Sequence, residues 1–140
     1  MLVKEIVDIL KAKEIYIDDQ AIYQKDYKKG FSSDLMSDAL ALLKNETEEV
    51  LFITGLANVQ SLRTAEVFDI DTILFVRGKP LDMTIVDMAK NLHINLFQTD
   101  ETMFEACGKL YDQKTARNIS KNTTIIIPEH NIPAFKTCFL

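Results

Sequence analysis

Two groups of residues in this 140-residue chain have types and spacing that suit chemistry. The first is Ser33, Asp34, Ser37 and Asp38, within Gly30-Phe31-Ser32-Ser33-Asp34-Leu35-Met36-Ser37-Asp38. On a helix, Asp34, Ser37 and Asp38 stand at i, i+3 and i+4, so two carboxylates and a hydroxyl share one polar face. That face either lines a cleft or is solvated surface, with Ser32 or Ser33 capping the helix and Asp34 placing negative charge in its first turn. The second group is Thr54, Gly55, Asn58, Arg77, Gly78 and Thr99, all at or just beyond the ends of apolar runs. Gly55 and Gly78 permit close backbone approach, helix starts present free N–H groups, and Arg77 is the fixed positive charge there, a combination that suits a phosphate or nucleotide. Each feature also has a local explanation: tight turns for the glycines, helix capping for Thr99 and Asp100, surface charge for Arg77.

Other chemistries have weaker grounds. The chain contains no Gly-x-x-x-x-Gly-Lys-Ser/Thr loop, no Gly-x-Gly-x-x-Gly fingerprint and no Gly-x-Ser-x-Gly elbow. Cys107, Cys138, His93 and His130 lack the short ligand spacings of a zinc site. Cys107 falls on an apolar helical stripe, and His93 stands at a helix end, where it suits carbonyl capping. No catalytic residue, metal or cofactor is therefore expected. Lys25, Lys28 and Lys29 form either an anion site or a solvated turn. The net charge of -5, with lysines and arginines scattered, argues against nucleic-acid binding.

The elements that must position these residues follow from periodicity. Residues 2–12 read as an amphipathic helix, and residues 14–30 as two short strands, an antiparallel addition to a sheet. A helix beginning at Asp34 would bury Leu35, Met36, Ala39, Leu40 and Leu43. Three strand-then-helix units follow, with strands at Val50–Thr54, Ile73–Arg77 and Ile94–Thr99. Their near-continuous apolar runs imply parallel strands with helices on both faces. Beyond Tyr111 the chain turns polar, then Thr123–Ile127 reads as a further strand and 132–140 as an apolar tail, packed on the core or against a second copy. With 47% hydrophobic and 26% charged residues, the chain has the composition of a globular domain. Met1 to Leu10 shows neither a basic leader nor a continuous apolar run, so no signal peptide or membrane span is expected, and the expected location is cytoplasmic.

Gly30-Phe31-Ser32-Ser33-Asp34-Leu35-Met36-Ser37-Asp38, Phe52-Ile53-Thr54-Gly55, Phe75-Val76-Arg77-Gly78 and Phe104-Glu105-Ala106-Cys107-Gly108-Lys109-Leu110-Tyr111 together resemble a DRTGG domain. The resemblance extends to the amino-terminal domain of HPr kinase/phosphorylase and to the modules that accompany CBS domains in regulatory pyrophosphatases. It covers roughly residues 2–112. The naming Asp-Arg-Thr-Gly-Gly motif falls on Asp26-Tyr27-Lys28-Lys29-Gly30, which keeps its first and last residues and lacks the Thr-Gly pair.

The expectation is a three-layer α/β fold with a mainly parallel sheet of four to five strands. Residues 1–112 would form the DRTGG-like domain, and 113–140 an extension with one added strand and the apolar tail. The resemblance implies a non-catalytic regulatory or ligand-sensing module of bacterial type, pairing with a second copy, with a nucleotide or phosphorylated small molecule as ligand and a protein partner encoded nearby. A structural interaction protein using the tail, and an enzyme using Asp34 or Asp38 as base, are the rival readings.

Overall fold

A computed structural model describes residues 1–46, 49–116 and 124–126. Helix α1 (Val3–Leu10) leads into strand β1 (Lys13–Tyr16), a 3-10 turn (Gln20–Gln24) and strand β2 (Lys29–Ser32). Three strand and helix pairs follow: α2 (Met36–Leu43) with β3 (Val50–Thr54), α3 (Val59–Val67) with β4 (Thr72–Phe75), and α4 (Met83–Leu92) with β5 (Asn95–Gln98). Helix α5 (Met103–Ala116) and strand β6 (Thr124–Ile126) complete the described chain.

The strands form one sheet in the order β1-β5-β4-β3-β2-β6. Only β1 is antiparallel, pairing with β5 as the edge addition the sequence suggested. The second short strand lies elsewhere than expected. Ile22 and Tyr23 sit in the 3-10 turn, while Lys29–Ser32, which runs beyond the expected strand segment 14–30, pairs in parallel with β3 and with β6. The described sheet therefore has six strands rather than four or five. Gly30 and Lys29 hide β2 from a composition reading, and Phe31, fully buried, holds it in place.

Topology explains the layers. The path from β2 through β3 and β4 to β5 moves steadily in one direction, so right-handed crossovers put α2, α3 and α4 on one face. The return from β5 to β6 runs the other way, and α5 packs beside α1 on the opposite face. Alternate residues of the buried strands feed the two cores. Phe31, Phe52, Ile73, Phe75 and Leu96 pack under α2–α4, and Leu51, Ile53, Leu74, Val76 and Phe97 under α1 and α5. The Phe31 and Phe52 rings stack at 6.0 Å. Burying each such side chain contributes about 1.5–3 kcal/mol. Cys107 is buried, as its stripe position implied. Cys138, His130 and the tail 132–140 lie outside the described residues.

Candidate functional site

Four parallel strands, β2 to β5, end at one edge of the sheet, so the segments after Ser32, Thr54, Phe75 and Gln98 converge there. In an open parallel sheet, the ligand crevice opens between neighbouring strands whose following helices lie on opposite faces. Here those neighbours are β4 and β5, with α4 on one face and α5 on the other. That crevice is closed by hydrogen bonds. Arg77 donates its backbone N–H to the Glu101 carbonyl at 2.8 Å, Gly78 donates to Thr99 at 3.0 Å, and the Gln98 amide donates to the Lys79 carbonyl. The polar side chains collect one step along, over the ends of β2, β3 and β4.

Asp34 is the centre of that cluster, and it is not in a helix. Helix α2 begins at Met36, and Leu35 before it is extended (φ -100°, ψ 111°). The Ser33 N–H continues the strand ladder to the Ile53 carbonyl at 3.1 Å, while its hydroxyl accepts from the Leu35 N–H at 3.0 Å. Ser33 thus shapes the loop before the helix. That turn swings the Asp34 carboxylate towards β3 and β4. Its Oδ1 accepts from the Gly55 N–H at 2.6 Å and, at a long 3.4 Å, from the Thr54 hydroxyl; its Oδ2 accepts from Arg77 Nη2 at 3.1 Å. The shared polar face of Asp34, Ser37 and Asp38 does not form. Ser37 is exposed on α2, and Asp38 stands in the first turn of that helix. Leu35 and Leu40, expected in its buried stripe, are also exposed, whereas Ala39 and Leu43 are buried.

Arg77 is more than the surface charge its position suggested. Its side chain is only 27% exposed, and that of Asp34 13%. Its backbone lies in the left-handed region at φ +70°, followed by Gly78 at +57°. Left-handed backbone costs a residue with a Cβ about 1–2 kcal/mol, and here the bond to Glu101 offsets it. The guanidinium lies across Gly55: a Cβ built there would sit 2.2 Å from Nη2 and 2.6 Å from Nε. Nε is buried and finds no acceptor among the described residues. Leaving a buried donor unpaired costs about 1–3 kcal/mol, so this one marks a place where an acceptor would be stabilised.

The remaining candidates serve local structure. Asn58 caps α3, its side chain accepting from the Gln60 N–H at 2.9 Å. The buried Thr99 hydroxyl donates to the Leu10 carbonyl at 2.8 Å and accepts from the Glu101 N–H at 3.2 Å. The α5 cap expected at Thr99 and Asp100 belongs instead to Thr102 and Glu105, which bond each other's backbone N–H. Gly78 has a close neighbour of its own, since a Cβ there would fall 2.4 Å from Asp100 Oδ1. The structure thus brings together Asp34, Thr54, Gly55 and Arg77, with Ser33 and Gly78 shaping the flanking turns. Ser32, read from sequence only as an alternative helix cap, is fully buried, and its hydroxyl has no partner among the described residues. Sequence reasoning missed Glu101, which enters through its backbone, where no side-chain signal exists.

Each lysine of the Lys25, Lys28 and Lys29 cluster is paired with an acid. Lys25 pairs with Asp71 and Glu49, Lys28 with Asp26, and Lys29 with Glu46. Lys25, Glu46, Glu49 and Asp71 line a cavity of about 240 Å³ at the opposite, amino edge of the strands. Burial there pushes the Tyr27 hydroxyl pKa up, and the negative charge of Asp71, its hydrogen-bond acceptor, adds to the shift. Among the described residues no set of histidines, cysteines and acids could hold a metal. His93 closes α4 through its backbone N–H, in left-handed conformation, and its ring reaches Asp18 at 3.1 Å.

No protein-family model matches the chain, and no curated protein matches it. Among solved structures, the chain is similar to the CBS and DRTGG domains of the regulatory region of Clostridium perfringens pyrophosphatase, solved with the activator diadenosine tetraphosphate. The TM-score is 0.58 at 17% identity, and the match covers 78% of this chain and 45% of that one. This chain thus spans under half of that chain, and at such identity the likeness is one of fold. With its mainly parallel sheet, helices on both faces and this neighbour, the chain has a DRTGG-like α/β fold.

Proposed function

We propose that this chain is a non-catalytic regulatory module that senses a nucleotide or other phosphorylated small molecule and acts as a homodimer. The observation that carries the reading is the Arg77 guanidinium, lying over Gly55 at the strand ends with a buried, unpaired Nε. Arginine presents five donors in a planar fork matched to phosphate, and one of them is engaged with Asp34. The neighbouring fold supports the reading, since it belongs to a regulatory region that takes a nucleotide activator. Thr54, Gly55, Arg77 and Asp34 form the ligand edge. Ser33, Asn58, Gly78 and Thr99 set the turns and the α3 start around it, and Ser37 and Asp38 stand in the first turn of α2.

Thermal melting with a panel of nucleotides and phosphorylated metabolites tests this directly. A ligand at a hundredfold excess over its Kd adds about 2.7 kcal/mol, a shift of several degrees for a domain of this size. No shift across the panel would overturn ligand sensing, and a monomer in sedimentation velocity would overturn the homodimer.

A structural interaction module is the second reading, favoured by the exposed Leu35 just before α2 and the exposed Leu40 and Leu42 on it. An unchanged melt together with a dimer lost on Leu40→Lys would favour it. The geometry does not favour an enzyme with Asp34 as base, because its carboxylate is engaged by the Gly55 N–H and Arg77. No described helix is long and apolar enough to cross a membrane. A cytoplasmic location remains part of the proposal.

A further inference from the structure

We infer that the Asp34 carboxylate occupies the place of the ligand's terminal phosphate, so that the module carries its own competitor and binding must displace it. The inference rests on the ligand-sensing reading and adds the chemical class and the regulation of that site.

Three observations converge on it. Asp34 is an anion already seated on an anion site, its oxygens accepting from the Gly55 N–H at 2.6 Å and from Arg77 Nη2 at 3.1 Å. It fills the site incompletely, because a carboxylate that meets the guanidinium through Nη2 alone leaves the buried Nε without an acceptor among the described residues. A tetrahedral phosphate monoester has three terminal oxygens, enough for the Gly55 N–H, Nη2 and Nε together, which is the fork geometry arginine favours. Finally, Asp34 sits on an irregular turn between β2 and α2, so its release moves that turn and the start of α2 without breaking the sheet ladder.

The consequence is a built-in threshold. Closed, the turn is tied to β3 and β4 through Asp34; open, it frees the exposed Leu35 and the first turn of α2. Apparent affinity is reduced by the fraction of molecules in the closed state, and ligand binding is coupled to the position of α2.

Calorimetry on the full chain with inorganic phosphate and ribose 5-phosphate, and with ribose as the phosphate-free control, tests the inference. Asp34→Asn and Asp34→Ala should each bind both phosphates at least about tenfold tighter than wild type, the gain expected when a competent state of about one tenth becomes the whole population. Arg77→Gln should bind neither, and ribose should bind none of the proteins. If wild type binds while both Asp34 variants bind equally or more weakly, Asp34 holds the ligand and the competitor idea falls, with ligand sensing intact. If no protein binds either phosphate, both fall. Wild-type NMR covers the case of misfolded variants. Saturating ribose 5-phosphate should shift the Arg77 Nε–H and Gly55 N–H resonances and speed hydrogen exchange at Leu35, and unmoved resonances would overturn the inference.

Discussion

The space a Cβ would take at position 55 is filled by the Arg77 guanidinium. Glycine is needed here for that approach. Gly55→Ala should force the arginine off Asp34, at a cost of about 1 kcal/mol in urea denaturation, the usual worth of a partly exposed ion pair. In that background Arg77→Gln should cost almost nothing more, so the double-mutant cycle reads the coupling. Which residues would matter was partly legible: Asp34, Thr54, Gly55 and Arg77 all stood out as charges, hydroxyls or glycines at run ends. Their connection was not. A carboxylate at 34 and a guanidinium at 77 meet because three parallel strands end in register, a long-range fact that spacing within a segment does not carry.

Helix ends show where short-range chemistry decides and where it does not. Asp82 before α4 accepts from the Thr84 N–H at 2.8 Å, and that backbone bond, with the Thr84 hydroxyl second, holds its carboxyl below the ordinary value of 3.8. Because the folded pKa is depressed, this stabilisation is fully present above the unfolded value and disappears as pH falls through the folded one. The destabilisation caused by Asp82→Ala, measured by urea melts, should therefore shrink steadily as pH is lowered from about 5 to about 2. Asn58 caps α3 in the same local way. For α2, however, Ser33 and Asp34 look like a cap and first-turn acid yet lie before the helix. Their bonds go to Leu35, Gly55 and Arg77 instead. Pairing of β2 with β3 carries the chain on past Ser32 and delays the helix start, so tertiary pairing overrides the capping preference.

The sheet and its two cores hold all of this together. Phe52, fully buried and stacked on Phe31 under α2–α4, sits in the strand between β2 and β4. Phe52→Ala should cost about 3–5 kcal/mol by urea unfolding, a large share of the roughly 5–15 kcal/mol available to a domain, and should loosen the Asp34–Arg77 edge as well. By itself the sequence determined the α/β class, the three strand-then-helix units and the antiparallel edge strand. Apolar periodicity and run length are local properties that survive into the fold. Only the tertiary structure decided that Lys29–Ser32 is a strand, that the β4–β5 crevice is closed by hydrogen bonds, and that Asp34 stands before α2 to sit on Gly55 and Arg77. Those depend on which distant backbone donors and acceptors come into register, and hydrogen-bond partners across a sheet are fixed by topology.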